Sequence, residues 1–367
     1  MKIVTVIGAR PQIIKAAALS RAIKEHFENE VQEVIVHTGQ HYDDNMSQVF
    51  FDELGLPQPN YNLNVGSASH GVQTAKMIVG IEEILLKEMP DYLVLYGDTN
   101  STLAGAIAAS KIHVPIVHIE AGLRSFNKSM PEEINRICCD HCSTLLFSPT
   151  ATGYQNLINE GFSSGIYHCG DVMYDNSKHF ANIADKKSQI LDKEELRGVD
   201  YVLCTIHRDN NTDHPERLNA IFKALLKISE SKTIVMPLHP RTSKLLNVNL
   251  EKDLFDKISN NKNIKILPPA SFLDMIVLER HAQMIVTDSG GVQKEAFFFQ
   301  KPCLILRTET EWTEIVECGA AVITDANEER IIESFNNFME NAPHNYPDIF
   351  GDGNAAVFIC KEMLEKL

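Results

Sequence analysis

Short runs of apolar, often β-branched residues recur along the chain. Each stays apolar until its last residues, and stretches with helical spacing of apolar positions lie between them. In the first half the runs are KIVTVIG, EVIVHTG, YLVLYGD, PIVHIEAG, TLLFSPT and IYHCGD. In the second half they are YVLCTIH, TIVMPLH, IKILPP, AQMIVTDSGG, PCLILR and AAVIT. Strands alternating with helices predict an α/β fold built on parallel sheets. Between the two sets, residues 171–200 form a polar, lysine-containing stretch (NIADKKSQILDKEEL) that reads as a helix crossing a domain boundary.

Polar residues cluster at the carboxyl ends of the runs: Arg10, His37, Asp98, Glu120, His207, His239 and Asp288. Open parallel sheets bind ligands outside those ends. The predicted architecture is therefore two open parallel-sheet domains facing a central cleft.

Composition narrows this picture. A chain of 367 residues is long for one core, which agrees with two domains. The net charge of −15 argues against nucleic acid or an anionic membrane as partner, so any anionic ligand needs local arginines and lysines. No apolar run approaches the roughly 20 residues of a membrane helix, and MKIVTVIGARPQIIK reads as strand and turn rather than secretory signal. The expected compartment is the cytoplasm, and the eight cysteines are expected to be reduced thiols. Cys138-Cys139-Asp140-His141-Cys142 invites a zinc reading, but it continues a helical pattern from Pro131 and has no second ligand pair at finger spacing. No metal is expected.

The turn Asp288-Ser289-Gly290-Gly291 leads from a strand into a helix. A helix N-terminus offers free N–H donors and partial positive charge, glycines admit a close anion, and Ser289 adds a hydroxyl. A plain strand-to-helix turn in which Ser289 only caps remains the alternative. Glu295, one turn on, would repel a phosphate but would accept hydrogen bonds from a ribose diol, so the pair suggests a nucleotide. There is no Walker A pattern, and the G-x-G-x-x-A match at Gly351 and Gly353 follows a polar loop rather than a strand. Neither an NTP-driven motor nor an NAD enzyme is supported. In GARPQIIK, Arg10 follows the first strand and Lys15 lies on the helix opened by Pro11, where both suit a diphosphate.

Asp98 (LYGDTNST), Glu120 (HIEAGLRS) and Glu132 (MPEEINR) supply carboxylates. Glu120 sits between an apolar run and Ala-Gly, where desolvation would fit it for proton transfer near neutrality. Each has a plainer alternative: Asp98 as a helix N-cap, Glu132 or Glu133 as acids favouring the first turn after Pro131. His207 ends its run beside Arg208, placed to meet a phosphate or leaving group.

GARPQIIK, HTGQH, GDTNSTLAG, HIEAGLRSF, MPEEINR, LHPRT, TDSGGVQKEA and the final GDGNAA, in this order over nearly the whole chain, resemble the non-hydrolysing UDP-N-acetylglucosamine 2-epimerase family. The resemblance implies a GT-B type fold of two doubly wound, Rossmann-like domains, with the last helix returning to the first domain, giving domains at 1–170 plus 353–367 and at 171–352. It implies that Ser289, Gly290, Gly291 and Glu295 hold UDP, assisted by Arg10, Lys15 and His207, with Arg136 near the phosphates. Asp98, Glu120 and Glu132 are implied around the sugar as the proton-transfer groups. The implied partner is a UDP-sugar and the implied assembly a homodimer, with no cofactor.

Trp312, in LRTETEWTEIVECG, replaces the arginine of the N-acetylglucosamine enzymes. This, with GDVMYD and GGVQKEAFFF, is similar to the branch acting on UDP-2,3-diacetamido-2,3-dideoxyglucuronate. The alternative is that Trp312 only packs under its loop. Asn210 replaces a family glutamate near His207, Tyr42 replaces an arginine of substrate-activated members, and Met275 falls where an aromatic packs on uracil. A hydrolysing epimerase, a retaining GT-B glycosyltransferase and a nucleotide-sugar sensor share parts of this pattern. The three carboxylates disfavour the sensor, because binding an anion alone would select against them.

Overall fold

The structure is a computed structural model that describes residues 1–39, 51, 53–238 and 240–367, without the side chains of 240 and 241. Tyr42 and His239 lie outside the described residues. The chain divides into two compact units, Met1–Lys178 with Asp348–Leu367, and His179–Pro347.

In the first unit the strands are β1 (Lys2–Ile7), β2 (Gln32–His37), β3 (Tyr61–Asn62), β4 (Tyr92–Tyr96), β5 (Ile116–Ile119), β6 (Leu145–Ser148) and β7 (Ile166–His168). They form one parallel sheet in the order β3-β2-β1-β4-β5-β6-β7. Valines and leucines of β1, β2 and β4 pack against helices His70–Glu88 and Asn100–Lys111, so β4 is buried throughout. The chain order reverses between β1 and β4, which opens a crevice at their carboxyl ends. Arg10 and Asp98 follow those two strands directly.

In the second unit β8 (Tyr201–Thr205), β9 (Thr233–Pro237), β10 (Ile264–Leu267), β11 (Met284–Thr287), β12 (Cys303–Ile305) and β13 (Ala321–Ile323) form a parallel sheet in the order β10-β9-β8-β11-β12-β13. The corresponding reversal lies between β8 and β11. His207 and Asp288 therefore sit at adjacent strand ends.

The division between the units falls inside the helix Val172–Lys187, between Lys178 and His179, where no change in composition marks it. The last helix, Ala355–Glu365, belongs to the first unit. Its first two N–H groups donate to the Asp175 carboxylate at 3.1 and 2.8 Å. Just before it the backbones of Gly170 and Gly351 nearly touch: a Cβ on Gly170 would lie 2.8 Å from the Phe350 carbonyl oxygen. Gly351 and Gly353 thus serve a loop within the first unit.

Candidate active site

Several of the residues picked out in the first unit meet at the ends of β1, β4 and β5. Glu120, directly after β5, has a left-handed backbone with φ of 74°, which costs a non-glycine residue about 1–2 kcal/mol. Its N–H and that of Ala121 both donate to the Phe147 carbonyl at 3.0 Å, which holds the bend. The carboxylate forms a buried ion pair with Lys15. Gly97, with φ of 59°, leaves room for that pair, since a Cβ there would lie 2.9 Å from Lys15 Nζ and 3.1 Å from Glu120 Oε2.

The Asp98 carboxylate accepts from Arg136 Nη1 at 2.5 Å and has 33% of its side chain open to solvent. Burial pushes its carboxyl above the ordinary value; Glu120 and Glu132 push the same way, while Arg136 and Lys15 oppose. Lys15 and Arg136, read from the sequence as phosphate contacts, are ion-paired with the carboxylates Glu120 and Asp98. Arg10 is partly exposed at the first position of helix Arg10–His26.

The helix Pro131–Cys142 separates the roles of its two leading acids. Glu133 is buried and accepts from Ser125 N, Ser125 Oγ, Phe126 N and Arg136, each at 2.9 Å. Burial alone would raise its carboxyl, but the Ser125 N–H and Arg136 outweigh it and hold the group below the ordinary range. Glu133 fixes the local loop, whereas Glu132 is exposed.

In the second unit Asp288 is fully buried. Its carboxylate accepts from the N–H groups of His207 and Arg208 and from Asn211 Nδ2, all near 3.1 Å. Asp288 Oδ1 also lies 3.3 Å from His207 Nδ1, and the His207 side chain is 48% exposed. The acid orients the ring so that Nε2 is the outward nitrogen. Asn211 is the residue that ties this loop down; neighbouring Asn210 is exposed.

Ser289 caps helix Gly290–Phe298 by accepting from Val292 N at 3.4 Å. Gly290 has no left-handed φ, and a Cβ on it would meet nothing nearer than Trp312 Nε1 at 3.6 Å, with Arg307 Nη1 and Glu311 Oε2 at 3.9 Å. Neither backbone strain nor crowding demands a glycine there. Its absent side chain leaves the helix N-terminus bare. Trp312 is buried with Lys294 Nζ 4.2 Å from its ring centroid, and Arg307 and Glu311 form a bidentate pair at 2.9 Å. Trp312 packs inward as a wall beside the glycine turn. Gly291 and Glu295 are partly buried on the same helix, and Met275 is partly buried on helix Phe272–His281.

Four supporting residues were not foreseen. Gln12 Oε1 accepts from Gly8 N and Ala9 N at 2.9 and 3.2 Å, while Nε2 donates to the Tyr96 carbonyl at 3.0 Å, linking the ends of β1 and β4. A glutamine at the third helical position is half a capping box and could have signalled this. His118, Asp140 and Arg124 form a buried chain under Glu120 that no local pattern announces. Asp140, read above as part of a cysteine cluster, belongs to this chain. His37 is buried, and burial lowers its pKa. Among the described residues no His, Cys, Asp and Glu side chains assemble as a metal site, and no helix is long and apolar enough to cross a membrane.

The chain matches the family described as UDP-N-acetylglucosamine 2-epimerase over residues 22–364. It is 51% identical, over the full length of both chains, to a UDP-N-acetylglucosamine 2-epimerase homolog of Methanococcus maripaludis. It is 46% identical, again over both full lengths, to the UDP-2,3-diacetamido-2,3-dideoxy-D-glucuronate 2-epimerase of Pseudomonas aeruginosa. Its structure is similar to the crystal structure of Methanocaldococcus jannaschii UDP-GlcNAc 2-epimerase in complex with UDP-GlcNAc and UDP, with a TM-score of 0.90, 42% identity and full coverage of both chains.

Proposed function

The chain belongs to the UDP-N-acetylglucosamine 2-epimerase family, and from that premise we propose that it epimerises C2 of a UDP-2-acetamido sugar without hydrolysing it. The observation that carries this reading is the carboxylate recess of the first unit, where Glu120 is paired with Lys15 and Asp98 with Arg136.

The proton on C2 of such a sugar has no adjacent carbonyl and is not acidic enough for direct removal. If the C1–O bond breaks first, UDP takes the bonding electrons and C1 gains oxocarbenium character. A carboxylate then removes the C2 proton and leaves a glycal. A second acid returns a proton to the opposite face of C2, and the UDP oxygen re-adds at C1. The scheme needs a base, an acid and support for the leaving diphosphate. Asp98, Glu120 and Glu132 supply the proton-transfer groups, with Lys15 and Arg136 balancing their charge. In the second unit Ser289, Gly290 and Gly291 seat the diphosphate at the helix N-terminus, His207 assists it, Glu295 takes the ribose and Met275 lies against uracil; in the first unit Arg10 is the proposed phosphate contact.

The preferred substrate in this reading is UDP-2,3-diacetamido-2,3-dideoxyglucuronate, converted to its mannuronate epimer for surface polysaccharide. Support comes from Trp312 beside the glycine turn and from the full-length relationship to the Pseudomonas enzyme. UDP-N-acetylglucosamine is the competing substrate. The proposed compartment is the cytoplasm. The proposed assembly is a homodimer, supported by helix His70–Glu88, which exposes Val72, Val79 and Leu86 at 50, 60 and 60% along one stripe of seven-residue spacing. Both nucleotide sugars, incubated separately with the enzyme and followed by proton NMR, test the choice. The epimer should form from the diacetamido uronate at the higher kcat/KM; faster turnover of UDP-N-acetylglucosamine would reverse the assignment.

A further inference from the structure

We propose that His118 is a positioning residue, held as a buried imidazolium that locks the strand end bearing Asp98 to the strand end bearing Glu120. It rests on the reading of those two acids as proton-transfer groups.

His118 lies in β5 and is fully buried. Its Nε2 is 2.8 Å from the Gly97 carbonyl oxygen, and its Nδ1 is 2.6 Å from Asp140 Oδ1. A carbonyl oxygen can only accept. The Asp140 carboxylate is already an acceptor for Gly122 N at 3.1 Å and is paired with Arg124 Nη1 at 2.8 Å. Each ring nitrogen must therefore donate, and a ring with two N–H groups is the charged form. Burial alone would favour a neutral ring, but neighbouring Cys139 and Asp140 outweigh it and hold the pKa well above the ordinary value.

The position of the link gives it consequence. Gly97 immediately precedes Asp98, and Gly122 lies two residues beyond Glu120. The left-handed backbones of Gly97 and Glu120 are thus bracketed by one cation and its counter-ion. Arg124 extends the chain to Glu160 at 2.7 Å. The chain holds two cations, His118 and Arg124, and two carboxylates, Asp140 and Glu160. A neutral side chain at 118 would leave one net negative charge beneath Glu120.

Two measurements test the role. In the wild-type enzyme, selective 15N labelling of histidine imidazoles, with His118 assigned by its loss in H118Q, should show both its nitrogens protonated across about pH 6 to 9. A neutral tautomer in that range would overturn the proposal, and if H118Q does not fold, through-bond correlation of the ring to its own backbone in the wild-type enzyme supplies the same assignment. In H118Q and H118N, kcat should fall about 10- to 100-fold, with KM and UDP affinity within about threefold of wild type. The acid limb of kcat/KM should move to higher pH, because the added negative charge raises the carboxylates' pKa. Folded variants that lose only thermal stability, with kcat and the acid limb unmoved, would show that His118 merely fills space. Wild-type enzyme that exchanges no hydrogen at C2 would overturn the functional reading and this role together; wild-type exchange with undiminished H118Q turnover would overturn this role alone.

Discussion

Gly290→Ala separates a glycine kept for a ligand from one kept for the fold. The nearest atom to the added methyl is Trp312 Nε1 at 3.6 Å, an ordinary contact, and the backbone is outside the left-handed region. The free protein should therefore tolerate alanine, and lower entropy of the unfolded chain should raise stability by about 0.4–1 kcal/mol. The diphosphate should not tolerate it, because in the proposed seat it lies against the bare backbone at the start of helix Gly290–Phe298, where a methyl competes for the space. Loss of one charge-assisted hydrogen bond costs about 1.5–3 kcal/mol. At about 1.4 kcal/mol per factor of ten, UDP binding should weaken about 10- to 100-fold. Chemical denaturation and calorimetric titration with UDP give the two numbers. Unchanged UDP affinity, or a stability loss above about 1 kcal/mol, would refute the reasoning.

The adjacent acids of helix Pro131–Cys142 should respond in opposite ways. Glu133→Gln removes a buried acceptor shared by Ser125, Phe126 and Arg136 and should cost about 2–4 kcal/mol in denaturation. Glu132→Gln, at an exposed position, should leave stability unchanged and cut turnover at least about 100-fold. For Asp175, burial raises the carboxyl to about 6, above its value in an unfolded chain, so the folded protein binds the extra proton. Stability should then fall as pH rises from about 4 to about 6, by up to about 1.4 kcal/mol per unit. Asp175→Asn should flatten that slope in pH-dependent denaturation curves.

Much of the fold was legible because buried parallel strands write themselves as apolar runs with polar ends. Every run named from the sequence contains or overlaps a strand. The two-residue strand β3 was not foreseen, since Tyr61–Asn62 is too short to make a pattern. The positions of the glycine turn, Asp98 and Glu120 were legible for the same reason, since each directly follows a buried strand. What stayed hidden depends on pairing between distant residues. Nothing local distinguishes exposed Glu132 from buried Glu133. Asp288, first read as a strand-end polar group, is buried and organises the His207 loop from 81 residues away. The acids that pair with Lys15 and Arg136 are also invisible in a linear reading, because only the folded sheet brings them near. His118 and Asp140 hide because one resembles a strand residue and the other lies in a cysteine-rich helix.

Hydrogen exchange at the sugar carbon is the most direct test of the central claim. Wild-type enzyme should be incubated with its UDP-sugar in deuterated water, without acceptor, and followed by NMR to equilibrium. The account predicts deuterium at C2, a stable mixture of the two C2 epimers, and UDP only as a minor species. An unlabelled C2, or free UDP as the main end product, would contradict it.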